Sequence, residues 1–589
     1  MNDIKTCFIE ELRRLKESSK EAVENIESFS EFKQYMHVKR RAEDELLELI
    51  EKASNSTTSQ LILVCGGVGD GKSHLISYLK KKYPQLINTF KIHNDATESF
   101  EPQKTSMDTL NDELSSFSDE NLNNSSGSKL ILAINLGTLN NFIESEYGKR
   151  YSKLAQFVYD KEILVSSIIN EDNSFDFNSN FHYINFSDYH MYTLTPDGPK
   201  SEYMSEILNK ITRQDINNPF YKEYSSSCLQ HCSCANDCPV KLNYELLAKK
   251  TTQERIISIL IEAMIKYKLI LSTRELLNFI YDIIVSNYID TLAAKEIKKV
   301  INSLVFSDHI KFLIPNLIFE HEDLSPIFKT ISKLDPVSLR CENRDQIIIK
   351  FNTIKNIVFL YNDHIEMLDY PHFNAALAAE SVFLDSEEQK EELVKLFFRL
   401  YLFSPKTEIL DYKDTLYEQY MRYLYYYNVG DKAKIKNLYF DIKEAIYKWN
   451  GDNEKDYINL FIGKNKLRYK ISQKLNLTTY TGELIKRDNL NLNKFITNFI
   501  LNFKVDGDDN AYPLDIDYPL YCLLMDIKNG YRPNKKDRSN YISFATFVDK
   551  VLELGQQNRE LLIAEKTGDA QEYKLIYDNE FDQYSFERI

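Results

Sequence analysis

The sequence predicts an α/β fold with a parallel sheet, followed by a large, mainly α-helical C-terminal region. In the first part of the chain, helical stretches separate or follow short apolar runs that are typical of buried strands; the runs are Leu61–Cys65, Thr89–His93, Lys129–Asn135 and His182–Phe186. Alternation of buried strands with helices is typical of a parallel sheet that helices cover. Beyond about residue 250 the pattern changes to long helices with few strands.

The length of the chain predicts several domains, because 589 residues are too many for one hydrophobic core. Residues 1–55 carry apolar side chains at helical spacing, which predicts a helical N-terminal segment. We then expect an α/β core at 56–250 with a Cys-rich insertion at 228–238, a helical lid at 251–330 and the helical C-terminal region at 331–589.

Composition narrows the class of protein. The net charge of −15 argues against tight, autonomous DNA binding, because proteins that hold DNA unaided usually present a basic face. An acidic balance fits work inside a larger complex. No apolar run approaches the roughly 18 residues of a membrane span, and the N-terminus has no apolar signal region. These features predict a cytoplasmic protein with no membrane partner.

A complete phosphate-binding pattern, G-x-x-x-x-G-K-S, follows the first predicted strand. It consists of Gly66, Gly67, Val68, Gly69, Asp70, Gly71, Lys72 and Ser73, and these residues are predicted to bind the nucleotide together with His74, which comes next. Glycines let successive backbone N–H groups face phosphate oxygens, Lys72 reaches the β- and γ-phosphates, and Ser73 offers its hydroxyl to Mg²⁺. Four of the 16 glycines of the chain lie in this loop, which argues against a chance match. The pattern predicts a P-loop NTPase core that binds ATP and Mg²⁺.

The carboxylates of a hydrolytic site are harder to find. No run of four apolar residues precedes an Asp-Glu pair, so the usual Walker B motif is absent. Asp95, at the end of a predicted strand, is the candidate Mg²⁺ ligand, and Glu98 is the candidate that polarises water. The alternative is a helix N-cap Asp with its capping Glu. Asp188 is a rival carboxylate.

Two further residues resemble the nucleotide sensors of AAA+ ATPases. Asn135 ends an apolar strand, as sensor 1 does, although a strand-end Asn is also a common turn residue. Arg274 opens a predicted helix about two hundred residues after Lys72, as sensor 2 does, and the alternative is a solvent-facing Arg. Arg150 is a weaker candidate for a finger that reaches a neighbouring subunit. The core is therefore predicted to be AAA+-like.

Four cysteines crowd into a C-x3-C-x-C-x3-C pattern, at Cys228, Cys232, Cys234 and Cys238. In an intracellular chain such spacing favours a metal over disulfides, and four thiolates suit a structural Zn²⁺. The Cys-Pro step after the last thiol keeps an iron–sulfur cluster open, and free thiols are the third alternative. The other cysteines are predicted to be scattered, small buried residues; they are Cys7, Cys65, Cys341 and Cys522.

Basic and tyrosine-rich stretches in the C-terminal half have two interpretations. Gly463–Lys474 and Gly530–Arg538 are rich in Lys and Arg, and Tyr420–Tyr427 contains several aromatic rings. Together they could contact phosphates and stack bases. The preferred interpretation is solvated charge and buried tyrosine. No nuclease constellation is recognisable, so if this protein serves DNA cleavage, another chain or a hidden site would have to cut the DNA.

Three segments resemble DptF-type proteins, the ATPase components of bacterial phosphorothioation-dependent DNA restriction systems. They are Gly66–Leu75, Ile92–Ser99 and Leu132–Gly137, and the cysteine cluster with its Cys-Pro-Val step fits the same family. The resemblance spans roughly residues 35–290. It implies an ATP-hydrolysing subunit that works in phage defence beside two partner proteins, against DNA that lacks the sulfur modification. The missing Walker B motif departs from common AAA+ patterns.

Two other functions remain compatible with the same sequence. In the first, the chain is a regulatory NTPase that bound nucleotide switches, with slow turnover. In the second, it is a scaffold that binds ATP structurally and recruits partners through its helices.

Overall fold

The computed structural model describes most of the chain. The described residues are 7–24, 30–94, 105–122, 127–165, 174–230, 232, 238–292, 294–304, 306–340, 342–354, 357–365, 387–404, 413–460, 469–487, 491–506, 508–555, 560–565, 572–578 and 580–589. They divide into two compact units. The large unit comprises Met1–Thr193 with Lys200–Tyr412, and the small unit comprises Leu194–Pro199 with Lys413–Ile589.

A four-stranded parallel sheet forms the centre of the large unit. Its strands are β1 (Gln60–Cys65), β2 (Lys91–His93), β3 (Lys129–Ile134) and β4 (Phe181–Asn185). Their order is β2-β3-β1-β4, so β1 lies between two parallel neighbours. Cys65, the last residue of β1, is level with Ile134 of β3 and Asn185 of β4. The carboxyl ends of these three strands therefore meet at one edge of the sheet.

Helices cover both faces of this sheet. The helices in the first part of the chain are α1 (Phe8–Glu24), α2 (Glu31–Met36), α3 (Arg41–Ser54), α4 (Lys72–Lys82), α5 (Pro84–Ile87), α6 (Ser106–Leu114), α7 (Leu136–Glu144) and α8 (Ser152–Asp160). All six residues of β1 are buried, as its unbroken apolar run predicts. Leu61 and Leu63 pack with α6, α7 and α8, whereas Ile62 and Val64 pack with α3 and α4. Each such side chain contributes about 1.5–3 kcal/mol through burial.

The rest of the large unit is helical. Its elements are α9 (Glu202–Thr212), α10 (Pro219–Glu223), α11 (Pro239–Leu247), α12 (Lys250–Tyr267), α13 (Thr273–Ile284), α14 (Asn287–Asp290), α15 (Ala294–Ser303), α16 (Phe306–Lys311), α17 (Ile314–Glu320), α18 (Pro326–Ile331), α19 (Glu342–Thr353), α20 (Ile357–His364) and α21 (Glu387–Phe403). A separate apolar core joins α16, α19, α20 and α21. In α21, buried Arg399 forms ion pairs with Glu320 and Asp335.

The small unit combines helices with sheets of two, three and five strands. Two short strands, β5 (Thr193–Thr195) and β6 (Gly198–Lys200), pair with each other. The remaining strands are β7 (Tyr457–Asn459), β8 (Tyr469–Lys474), β9 (Leu477–Tyr480), β10 (Phe499–Val505), β11 (Tyr512–Ile516), β12 (Glu560–Glu565), β13 (Glu572–Asp578) and β14 (Gln583–Arg588). The helices are α22 (Thr415–Val429), α23 (Lys436–Lys448), α24 (Tyr518–Lys528), α25 (Lys535–Asn540) and α26 (Ile542–Gly555). The sheet orders are β11-β10-β9 and β14-β13-β12-β8-β7.

The parallel sheet with a helical region after it agrees with the predicted α/β class. The prediction of few strands beyond residue 250 is wrong for the small unit, where β7 to β14 lie between 457 and 588. These strands have only three to seven residues, and polar side chains interrupt their apolar alternation. Moreover, β8 pairs with β12, far along the chain. Within the described residues, no helix is both long and apolar enough to cross a membrane.

The tyrosine-rich stretch of the small unit is largely buried rather than exposed to solvent. Tyr420, Tyr423 and Tyr427 of α22 are buried, and the hydroxyls of Tyr420 and Tyr427 donate to backbone carbonyls. In the second basic segment, Arg538 lies over the ring of Trp449. These positions fit the interpretation of buried tyrosine. Residues 461–468 of the first basic segment lie outside the described residues.

Candidate functional site

The glycine loop, Gly66–Ser73, connects the end of β1 to the start of α4. Its turn requires glycine at Gly69 and Gly71, whose φ angles are 86° and 94°. A Cβ atom on Gly69 would meet the Ser272 Oγ atom at 3.0 Å and the Ser272 Cβ atom at 3.2 Å. The loop therefore packs closely against the residue that caps α13.

Polar contacts hold the glycine loop in a ring. The Lys72 ammonium donates to the carbonyl oxygens of Gly66 at 2.9 Å and Gly67 at 2.5 Å. The Gly67 N–H donates to the Asp70 carboxylate at 2.6 Å. Since α4 begins at Lys72, the positive end of its dipole also faces the loop. Positive charge and oriented N–H groups together favour an anion here.

A cavity of about 260 Å³ opens beside the glycine loop; we call it the loop cavity. Its lining residues include Val68, Gly69, Asp70, Gly71, Lys72, Ser73 and His74 of the loop region, Met36, His37, Val38, Arg40 and Glu43 before β1, Asn94, Asn135 and Phe186 after the other strands, and Tyr203, Ile207, Thr273, Arg274 and Leu277 of α9 and α13. Small-molecule sites lie at this edge of parallel sheets because the strand ends and helix N-termini converge there.

Two predicted sensor residues reach the loop cavity. Asn135 lies at its edge and also caps α7, because its Oδ1 atom accepts from the Thr138 N–H at 2.8 Å. Arg274 lies in the first turn of α13, and its Nε atom is buried without a hydrogen-bond partner among the described residues. The Oδ1 atom of Asn94, another lining residue, is in the same condition. Buried polar atoms of this kind are costly unless a ligand or water satisfies them.

The predicted carboxylates have different outcomes. Asp95 and Glu98 lie outside the described residues, so their roles stay predictions. Asp95 follows β2, which β3 separates from β1. Asp188 lies after β4, a direct neighbour of β1, and accepts from the Asn185 amide at 2.9 Å. Burial raises the pKa of the Cys65 thiol to about 12, while Lys72 lowers this pKa and Asp188 raises it, so Asp188 acts close to the loop.

Sequence reasoning missed a histidine pair beside the loop. The Nδ1 atom of His37 lies 3.1 Å from Nε2 of His74, and the Nε2 atom of His37 lies 3.0 Å from the Glu43 carboxylate. Burial lowers the pKa of His74 to about 3 and lowers the pKa of His37 too, so both rings are neutral at pH 7. His37 then donates to Glu43 and accepts from His74. The ring of His37 also stacks on Tyr78, with centroids 3.6 Å apart.

Arg40 is a second residue that no motif indicated. Its guanidinium donates to the carbonyl oxygens of Asp70 at 3.0 Å and Tyr189 at 3.2 Å. It also lies over the rings of Phe186 and Tyr203. Arg40 therefore ties the segment before β1 to the glycine loop. Arg150, the candidate finger, is exposed after α7, and its proposed role needs a neighbouring subunit.

The cysteine cluster contains one unexpected member. Cys228, Cys232 and Cys238 line a second, small cavity together with Cys7, so the prediction that Cys7 stands apart is wrong. Cys234 lies outside the described residues. Burial raises the pKa of Cys238 to about 12 and raises the pKa of Cys7 and Cys228 as well. The cysteines that the structure describes form no disulfide, and as these side chains stand, no three His, Cys, Asp or Glu residues within the described ranges are arranged to hold a metal ion.

Comparison of the chain with protein-family models, with curated proteins and with solved structures finds no match.

Proposed function

We propose that this chain binds ATP and Mg²⁺ at the loop cavity and hydrolyses ATP as a subunit of a bacterial phosphorothioation-dependent restriction complex that acts on unmodified DNA. One observation carries the nucleotide part: the glycine loop, Asn135 and Arg274 line the same cavity at the carboxyl edge of a parallel sheet. These residues lie far apart in the sequence, and a phosphate-binding site needs them together.

The phosphate end of the cavity is the best supported part. Lys72 holds two loop carbonyls, and phosphate oxygens would replace these acceptors because they are anionic. Ser73, beside it, would offer its hydroxyl to Mg²⁺, which neutralises phosphate charge when bound. The unpartnered Nε atom of Arg274 fits an anion beside the loop, because the Cβ atom of Arg274 would lie 3.5 Å from a Cβ atom on Gly69. Met36, Ile207 and Leu277 also line the cavity and supply apolar surface that suits a base.

Hydrolysis requires a carboxylate that the described residues do not supply plainly. Asn94, which immediately precedes Asp95, lines the loop cavity, and this supports a position of Asp95 near the phosphates. Glu98 would then polarise the attacking water, and Asn135 would contact the γ-phosphate. Asp188 is the alternative Mg²⁺ ligand, since it follows the strand on the other side of β1.

The restriction role rests on the resemblance of the loop, strand-end and cysteine segments to DptF-type proteins. The acidic net charge of −15 supports DNA contact through partner subunits rather than through this chain alone. ATP turnover would drive assembly or movement of the complex on DNA.

A nucleotide-switched regulator or scaffold is the second candidate, and one observation favours it. The carboxylates among the described lining residues are Glu43 and Asp70, and both already accept hydrogen bonds from protein groups. A site whose described carboxylates are engaged in this way suits slow turnover.

Steady-state ATP hydrolysis separates these functions. The purified chain is assayed alone and with its co-purified partners, on modified and on unmodified DNA. The proposal expects hydrolysis that unmodified DNA stimulates and that Lys72→Ala abolishes, while Lys81→Ala, an exposed change on the same helix, leaves it intact. Tight nucleotide retention without turnover would favour the switch. Full restriction by the Lys72→Ala variant would leave only the scaffold.

A further inference from the structure

Cysteines from two distant parts of the chain line one small cavity in the large unit. Cys7 precedes α1, whereas Cys228, Cys232 and Cys238 lie more than two hundred residues later. The cavity has a volume of about 30 Å³, and we call it the cysteine cavity. This volume holds one ion or a single water molecule. Its other walls are mostly apolar, so water has few partners there.

Aromatic packing fixes the position of Cys7. The next residue, Phe8, is buried, and its ring meets Tyr224 edge-on at 5.8 Å and Tyr244 at 4.9 Å. Tyr224 opens the helical turn that ends at Cys228, and Tyr244 belongs to α11, which starts after Cys238. The same two rings therefore hold the start of α1 against the cysteine-rich segment. Cys7 lies near the other thiols because the aromatic packing of Phe8 in the core holds it there.

Burial raises the pKa of the thiols in the cysteine cavity, and helix ends and lysines act against this effect by favouring thiolates. Cys7 immediately precedes α1, and Cys238 is the N-cap of α11. The backbone N–H of Ile9 donates to the Cys7 sulfur, and those of Val240 and Lys241 donate to the Cys238 sulfur. Both sulfurs thus lie at positive helix ends, and N–H groups at such places stabilise a thiolate. The ammonium group of Lys298 also lowers the pKa of Cys7, and that of Lys241 lowers the pKa of Cys228.

We propose that Cys7, Cys228, Cys232 and Cys238 bind a structural zinc ion that fastens the start of α1 to the cysteine-rich segment. Four thiolates in tetrahedral geometry are a standard closed zinc site. The two lysines offset the charge of minus two that zinc with four thiolates carries. The thiols converge on the cavity, and rotation about their Cα–Cβ bonds would bring the sulfurs onto one ion. This proposal does not depend on nucleotide binding.

Cys7 replaces Cys234 as the fourth ligand in this proposal. Cys232 and Cys234 are separated by one residue, which is an unusually tight spacing for two ligands of one tetrahedral ion. A ligand from another element meets the geometry with less strain on the chain. It also links two elements, as structural zinc sites commonly do.

Metal content of the purified full-length chain tests the ligand set. We expect about one equivalent of zinc in the unmodified protein and in Cys234→Ser, and less than about a fifth of an equivalent in Cys7→Ser. Cys522→Ser, a cysteine of the small unit, is the matched control and should keep its zinc. Full zinc in Cys7→Ser, loss of zinc in Cys234→Ser, or less than about half an equivalent in the unmodified protein would each overturn the proposal.

Alkylation of the unmodified protein gives a test that needs no variant. Iodoacetamide labelling is followed by mass spectrometry, with zinc present and after chelation. Bound zinc should protect Cys7 together with Cys228, Cys232 and Cys238, and chelation should expose all four, whereas Cys522 should label equally in both states. Labelling of Cys7 that does not change with the other three would overturn its role as a ligand.

Discussion

In the loop cavity, consecutive residues of the glycine loop, Val68–Ser73, supply the proposed phosphate-binding surface, whereas the cysteine cavity draws its thiols from Cys7 and from Cys228, Cys232 and Cys238. The glycine loop can therefore be recognised in the sequence as a motif, whereas the cysteine cavity can be recognised only in the folded structure. The contrast is incomplete, because the glycine loop itself packs against Ser272 and is tied to Arg40. Even a contiguous motif depends on distant elements for its shape. Substitutions in the loop and in the elements around it test how far that dependence goes.

The largest effect is expected for Gly69→Val. A side chain there would meet Ser272 at about 3 Å, and the φ of 86° is unfavourable for valine. The loop would leave α13, and we expect ATP affinity to fall more than about 100-fold, which is about 2.7 kcal/mol. Isothermal titration with ATP measures the loss, and zinc content should not change.

The control for Gly69→Val is Gly530→Ala, because Gly530 has a φ of 102° with open space around it. Its strain should cost about 1–2 kcal/mol of stability and leave ATP affinity unchanged. Normal ATP affinity in Gly69→Val would show that the loop does not need its contact with α13.

Arg274→Ala tests the contact that α13 is proposed to make with the phosphates of ATP. Loss of a charged hydrogen bond to phosphate costs about 1.5–3 kcal/mol, so we expect ATP to bind roughly 10- to 150-fold more weakly. Titration with ATP and with AMP distinguishes contact with the outer phosphates, since AMP affinity should hardly change. Arg213→Ala, an exposed change elsewhere in the same unit, is the control. Equal losses for ATP and AMP would contradict contact with the outer phosphates.

The pair His37–His74 should make stability depend on pH. Burial lowers the pKa of His74 from 6.5 to about 3, so between these values the unfolded chain binds a proton that the folded chain does not. The contribution of His74 to the free energy of unfolding is therefore full above pH 6.5 and falls as pH falls towards 3, by about 1.4 kcal/mol per pH unit. Urea unfolding from pH 4.5 to 7.5 measures this slope. His74→Asn should flatten it, and an unchanged slope would remove His74 as its cause.

The smallest effect separates the two roles of Asn135. Asn135→Ala should lose about 1 kcal/mol of stability, because α7 loses its cap, and should also slow hydrolysis. Asn135→Ser keeps a capping oxygen, so stability should return while hydrolysis stays slow. Thermal unfolding and ATP turnover on the same samples decide this. Recovery of both properties in Asn135→Ser would leave Asn135 as a turn residue alone.

The parts of the molecule that could be predicted are those whose residues are close together in the sequence. The buried run of β1, the glycine loop and the start of α4 are contiguous, so their order followed directly from residue types. The position of Asn135 beside that loop also agrees with the expectation for strand ends of a parallel sheet, whereas Arg274 reaches the same cavity from the first turn of α13. The contact between His37 and His74 was not predictable, because His37 belongs to no motif and only folding brings it to His74, the residue that follows the glycine loop.

The same reasoning explains the strands that were missed. The apolar alternation of β8 ends after Tyr469 and Ile471, and pairing of β7 and β12 with its two edges stabilises it as a strand. Such pairing energy comes from distant residues and leaves no local signal. The place of Cys7 in the cysteine cavity was missed for a related reason, since it depends on the packing of Phe8 against Tyr244.

The position of β1 has a consequence for the rate at which a ligand is exchanged. β1, which leads into the glycine loop, is paired along its length with β3 and with β4, so two ladders of backbone hydrogen bonds hold the start of the loop. The walls of the loop cavity have fewer hydrogen bonds, such as those of Arg40 to Asp70 and Tyr189 and that between Tyr203 and Thr273. Local opening of these walls needs far less free energy than global unfolding. A bound nucleotide would therefore leave by motion of the walls, and its residence time would report on α13 and the segment before β1.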